Sequence, residues 1–147
     1  MLSQDFREFI ESLKDNDVRY LIVGGYAVAI HGYPRYTKDI DIWVEHDPEN
    51  AKRLIKSIVQ FGFGALGLQE KDFLTPGQVV QLGYPPNRID IIGSLSGVDF
   101  NDCYERRLKV TIDNLEIDFI DIESLKKNKK ASGRFQDLAD LENLGGI

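Results

Sequence analysis

The sequence predicts an α/β (α+β) protein, a mixed β-sheet flanked by helices. Three observations predict it. Short β-rich apolar runs alternate with segments of helical period along the first half of the chain. The second half holds two strand pairs, each joined by a short turn. The chain ends on two more helical segments, and strands interleaved with helices build layered folds of this kind.

Each element follows from its residues. Leu2, Phe6, Phe9, Ile10 and Leu13 recur at helical spacing, with Ser3 placed to cap the first turn. Asp15-Asn16-Asp17 reads as a turn, and Tyr20 to Val23 as a strand ending at Gly24-Gly25. Tyr26 to His31 reads as a helix with Gly32 as its C-cap. Asp39 to Glu45 alternates as a strand. A helix starts at Asp47-Pro48, and Ala51, Leu54, Ile55, Ile58 and Val59 form its apolar stripe. Residues 61–77 are glycine-rich and read as loop, with a short helix at Gln69 to Phe73. Gln78 to Leu82 and Arg88 to Ile92 read as strands around the turn at residues 83–87, and Phe100 to Tyr104 as a short helix. Leu108 to Ile112 and Leu115 to Ile120 form a hairpin around Asp113-Asn114. Glu123 to Lys130 and Phe135 to Leu144 are helices joined at Ser132-Gly133.

At 147 residues the chain reads as one domain, 1–147, without repeats or linkers. Its 42% apolar and 29% charged residues are ordinary for a soluble globular protein. A net charge of −6 argues against a broad nucleic-acid-binding surface. With Cys103 as the single cysteine, neither an internal disulfide nor a cysteine zinc site can form. The N-terminal segment is charged and amphipathic, unlike a signal peptide, and the longest apolar run is broken by Gly24-Gly25. The expected location is cytoplasmic, with no membrane partner.

Chemistry concentrates between residues 20 and 44. Asp39 and Asp41 lie two apart in a strand, so they share a face opposite Ile40 and Ile42. Adjacent carboxylates repel and need a cation, a shared proton or a basic partner. Oxygen-only ligation points to Mg²⁺ or Mn²⁺ as cofactor. Asp90, flanked by isoleucines in a second strand, is the expected third carboxylate, and Asp118 is ranked behind it by the same alternation. Three such carboxylates could hold two ions about 3.5–4 Å apart, as in-line phosphoryl displacement requires. Gly24-Gly25 between strand and helix suits close approach by a phosphate, but taken alone reads more simply as a tight strand-to-helix turn. The dinucleotide and P-loop fingerprints are absent.

Together these motifs resemble the nucleotidyltransferases of the DNA polymerase β superfamily: Val23-Gly24-Gly25, then Ile40-Asp41-Ile42, then a later carboxylate strand. A narrower resemblance is to the AbiEii-like abortive-infection toxins. It rests on Gly24-Gly25-Tyr26-Ala27 through His31-Gly32, on Arg35-Tyr36-Thr37-Lys38-Asp39-Ile40-Asp41, and on Lys129 through Arg134 followed by Asp137 and Asp140. Gln136 departs from that pattern, where a basic residue is usual, and the extra C-terminal helical domain of many full-length transferases is not seen.

The resemblance implies the polymerase-β-like nucleotidyltransferase fold and transfer of an NMP from an NTP to an acceptor hydroxyl. Asp39, Asp41 and Asp90 would then be catalytic metal ligands. Gly24, Gly25, Lys129 and Arg134 would contact nucleotide, with Asp137 orienting the last two. Arg35 and Lys38 could equally neutralise phosphate or balance the aspartates, and Thr37, counted with them as nucleotide-binding, could instead buttress the loop or cap the strand. The acceptor is left open among RNA (tRNA, if toxin-like), a protein and a small molecule such as an antibiotic. A partner protein or homodimer would replace the missing acceptor domain. The alternative is a non-catalytic nucleotide- or partner-binding module that keeps the fold.

Lys126, Lys127 and Lys130 read as solvated surface and His31 as structural, while His46 has no assigned partner. Trp43 shares Asp41's face, which allows either stacking on a base or plain packing, and Tyr26 allows the same two roles. Cys103 reads as a small buried hydrophobe.

Overall fold

A computed structural model describes residues 2–33 and 37–146. Six strands form one mixed sheet: β1 (Tyr20–Val23), β2 (Asp39–Val44), β3 (Val79–Leu82), β4 (Arg88–Ile92), β5 (Leu108–Ile112) and β6 (Leu115–Phe119), in the order β3-β4-β2-β1-β6-β5. β1 runs antiparallel to β2 and parallel to β6, and β2 runs parallel to β4. The β3–β4 and β5–β6 hairpins close the two edges. The central strand β1 is buried at all four residues, as a strand covered on both faces should be.

The helices are α1 (Gln4–Asp15), α2 (Gly24–Ile30), α3 (Pro48–Phe61), α4 (Glu70–Leu74), α5 (Phe100–Glu105), α6 (Ile122–Ser132) and α7 (Phe135–Asn143), with a 3-10 turn at Gly64–Leu66. Local chemistry sets their ends. Ser3, Asp47 and Asp121 accept from the backbone N–H three residues on, capping α1, α3 and α6. Pro48 takes the first turn of α3, where its missing N–H costs nothing. α1 buries Phe6, Phe9, Ile10 and Leu13 and packs on α3, where Phe9 meets Phe61 edge-on. Each such side chain contributes about 1.5–3 kcal/mol.

Two boundaries differ from expectation in ways that matter. The helix after β1 begins at Gly24, so both glycines lie in its first turn and not before it. The α6–α7 connection is only Gly133 and Arg134, because Gly133 closes α6 at φ +68°. That tight turn folds Asp137 back beside Lys129. Asp113 and Asn114, at φ 50° and 67°, make the expected hairpin turn between β5 and β6.

Candidate active site

Strand register brings the acidic residues together. β2 and β4 are neighbours, with Asp39 opposite Arg88 and Asp41 opposite Asp90. One cross-strand pair is therefore attractive and the next repulsive. Arg88 reaches across both. Its Nη2 donates to Asp39 Oδ2 at 2.7 Å, and its Nε and Nη2 donate to Asp90 Oδ1 and Oδ2 at 2.8 and 3.0 Å. Asp41 has no such relief. Burial first, then the charges of Asp90 and Asp39, push its carboxyl up to about 6, against weaker help from Lys129 and Arg88.

Gly24 is required here for a reason independent of any ligand. It follows Val23, the register partner of Asp41, and lies at φ +67°. A Cβ at this position would sit 2.0 Å from Asp41 Oδ2, so no other residue fits without displacing the carboxylate.

Facing Asp41 is a basic wall. Lys129 is buried between Asp137 and Asp140, with Nζ 3.2 Å from Asp137 Oδ1 and 3.0 Å from Asp140 Oδ2. Arg134 Nε and Ser132 Oγ each donate to Asp137 Oδ2 at 2.7 Å. Burial alone would raise the Asp137 carboxyl, but hydrogen bonds from Arg134, Ser132 and Lys129 outweigh it and hold it at about 2. Gln136, which departs from the motif, donates to Asp140 Oδ1 at 2.9 Å and so joins the same network.

Between the walls lies a cleft of about 420 Å³. Gly24 and Asp41 line it on one side and Lys129, Ser132, Arg134 and Asp137 on the other. Ser94, Ser96 and Asn128 add neutral polar groups, and Val23, Ile92 and Leu95 apolar ones. Asn128 is anchored through Nδ2 to the Ser96 carbonyl at 3.1 Å. Arg134 is 79% exposed at the side chain and projects its charge toward solvent at the cleft.

The other expected residues fall as follows. Thr37 donates to the Asp39 carbonyl at 3.0 Å and braces the start of β2. Lys38 is exposed and Gly25 is buried, and neither lines the cleft. Arg35 lies outside the described residues. Asp118, the rival third carboxylate, is on the far side of β1, where it pairs with Arg107 at 3.4 Å. Trp43 is buried edge-on against Phe100 and does not border the cleft, so packing is its role. Tyr26 packs edge-on against Phe6. His31 Nε2 lies 2.7 Å from the Ile120 carbonyl oxygen, and Cys103 is buried.

Sequence reading missed Arg88, Ser94, Ser96 and Asn128. Arg88 was findable: two residues before Asp90 in a strand, it must share that face. The serines lie in a loop without periodicity, and nothing local marked them.

The acidic wall suits a hard divalent cation. Its donors are all carboxylate oxygens, Asp39 Oδ1 is buried without a hydrogen-bond partner, and the repulsion of Asp90 and Asp39 on Asp41 exceeds the help from Lys129 and Arg88. Among the described residues no three acidic, histidine or cysteine side chains converge as a ready-made metal-holding group.

Comparison with known proteins decides the family. A model of nucleotidyltransferases of unknown function, DUF6036, matches residues 2–145. The chain belongs to this nucleotidyltransferase family. Solved structures share the fold. A Thermotoga maritima protein provisionally assigned as a nucleotidyltransferase aligns at TM-score 0.64 and 18% identity, over 93% of this chain and 88% of its own. The lincosamide antibiotic adenylyltransferase LnuA, solved with lincomycin, aligns at 0.57 and 15%, over 98% and 96%. An antigenic nucleotidyltransferase-like protein from Paracoccidioides brasiliensis aligns at 0.52 and 16%, over 97% and 75%. Among curated proteins no sequence matches this chain. No helix of the described residues is long and apolar enough to cross a membrane.

Proposed function

We propose that this nucleotidyltransferase-family chain is a metal-dependent enzyme that moves an NMP from an NTP to an acceptor hydroxyl. The observation that carries the reading is one cleft with Asp41 on one wall and Lys129 and Arg134 on the other. A triphosphate with its counter-ion matches that polarity, negative against the basic wall and cationic against the acidic one.

The residues divide the work. Arg134 is exposed enough to reach phosphate oxygens, and its guanidinium suits bidentate contact. Asp137 holds it by its Nε. Lys129 lines the cleft from a buried, fixed position, adding positive potential without needing to move. Ser94, Ser96 and Asn128 offer neutral groups for the sugar or base. Gly24 leaves Asp41 room at the cleft floor. Asp39 and Asp41 are the residues that would hold Mg²⁺ or Mn²⁺, with Asp90 completing the set. When bound, the metal supplies charge neutralisation at the triphosphate. The acceptor oxygen bonds to the α-phosphorus, the bond to the bridging oxygen breaks, and pyrophosphate leaves. Asp90 is assigned to take the hydroxyl proton once Arg88 has moved off it.

For the acceptor we take an RNA end, on the motif resemblance to the AbiEii-like toxins. A second reading, a nucleotide-binding module without catalysis, is favoured by one observation: Arg88 already ion-pairs with both Asp39 and Asp90.

Incubation with α-labelled NTPs, Mg²⁺ or Mn²⁺ and total RNA or lysate tests the proposal. Label should enter RNA and fall at least about 10³-fold in Asp39→Asn/Asp41→Asn, because such ligands act on the transition state. Label in a small-molecule fraction would replace RNA by an acceptor of the kind LnuA's name implies. Equal labelling by the variant would sink the mechanism. NTP binding without transfer would leave the binding module.

A further inference from the structure

We propose that Arg88 is an internal counter-ion that occupies the cation position of the acidic site, so that a divalent metal must displace it to enter. The inference rests on the metal-dependent reading above. Arg88 spends three donor contacts on two of the three carboxylates, at 2.7, 2.8 and 3.0 Å. Both Asp90 oxygens are taken, as is Asp39 Oδ2. A cation ligated by Asp39 and Asp90 would sit where the guanidinium lies and compete with it for these oxygens.

Register makes this arrangement unavoidable while the side chain stays folded inward. The Asp39–Arg88 pairing across β2 and β4 places the guanidinium beside Asp39, and the alternation of β4 places it beside Asp90. It is also incomplete as neutralisation. One arginine serves three aspartates, Asp39 Oδ1 stays unpartnered, and Asp41 receives no hydrogen bond from it. The site therefore remains attractive to a stronger cation. Arg88 has an exit, since its side chain is 28% exposed.

A fixed strut would behave oppositely. If Arg88 only oriented Asp39 and Asp90, removing it would loosen the ligands and weaken metal binding. If it competes, removing it strengthens binding. The sign alone separates the two roles.

The test is Mn²⁺ titration of the metal-stripped full chain by calorimetry, without nucleotide, for the natural protein, Arg88→Met and Arg88→Lys. Arg88→Met should bind Mn²⁺ about tenfold tighter or more, the scale of losing one close charge pair. Arg88→Lys, a point charge that cannot bridge both carboxylates, should fall between. Equal or weaker binding by a folded variant overturns the proposal. If Arg88→Met fails to fold, Arg88→Lys decides by the same sign. Absence of Mn²⁺ binding in every protein, with and without NTP, removes the metal reading itself and this inference with it.

Discussion

The two charged clusters that meet at the cleft, one reaching it through Asp41 and the other through Lys129, Arg134 and Asp137, are built from similar residues and end in opposite electrostatic states. On α6 and α7, Lys129 and Arg134 meet Asp137 and Asp140, two cations for two anions, and Asp137 is held at about 2. On β2 and β4, one arginine meets Asp39, Asp41 and Asp90, and Asp41 rises to about 6. Burial pushes both carboxyls up; the difference is that Asp137 accepts hydrogen bonds from Arg134, Ser132 and Lys129, whereas Asp41 faces the charges of Asp90 and Asp39. A balanced buried network can stabilise itself, whereas an unbalanced one stores repulsion that a ligand can relieve. That is why we assign the first wall to positioning and the second to chemistry.

The largest test breaks the balanced wall. Lys129→Met removes the ammonium between two buried carboxylates, Asp140 at 0% exposure among them. Stability should fall by about 3–5 kcal/mol, the scale for breaking a buried pair from one side. Urea denaturation measures it, and a change under about 1 kcal/mol would show that the wall is not held by this network.

Next comes acid. A carboxyl lowered to about 2 contributes stability that is present above its unfolded value near 3.8 and is lost as pH falls through 2. Asp137 should supply roughly 2 kcal/mol of that acid limb. Melting curves of Asp137→Asn between pH 5 and 2 should lack it, whereas an unchanged slope would place the acid sensitivity elsewhere.

The smallest effect has the opposite sign. Asp41, raised to about 6, binds its proton more tightly when folded, so the metal-free protein should gain stability as pH falls from 7 towards 4. Asp41→Asn should remove that dependence and raise stability at pH 7 by about 1–2 kcal/mol, discounted for solvent at the cleft. A loss of stability in that variant would mean that Arg88 and Lys129 already neutralise the acidic wall.

Much of this was legible along the chain. Alternation put Asp39 and Asp41 on one face and Asp90 on another strand's equivalent face. Arg88 was legible by the same rule and went unassigned. Lys129 to Asp137 was readable as a spacing, because a helix, one αL glycine and a second helix return the chain on itself. Trp43 marks where alternation stops helping. It gives the face a residue is on but not what covers that face, and Phe100 from α5 covers Trp43.

The sequence by itself determined the elements, the carboxylate pair and the basic tail, because periodicity and capping are local properties of the backbone. Only the tertiary structure decided that β4 lies beside β2 and β6 beyond β1, which makes Asp90 the neighbour of Asp41 and removes Asp118 to an ion pair with Arg107. It also decided that Gly24 is needed to spare the Asp41 carboxylate. Strand order and close contacts depend on residues far apart in the chain, and their energies come from packing and charge in three dimensions, which no local pattern encodes.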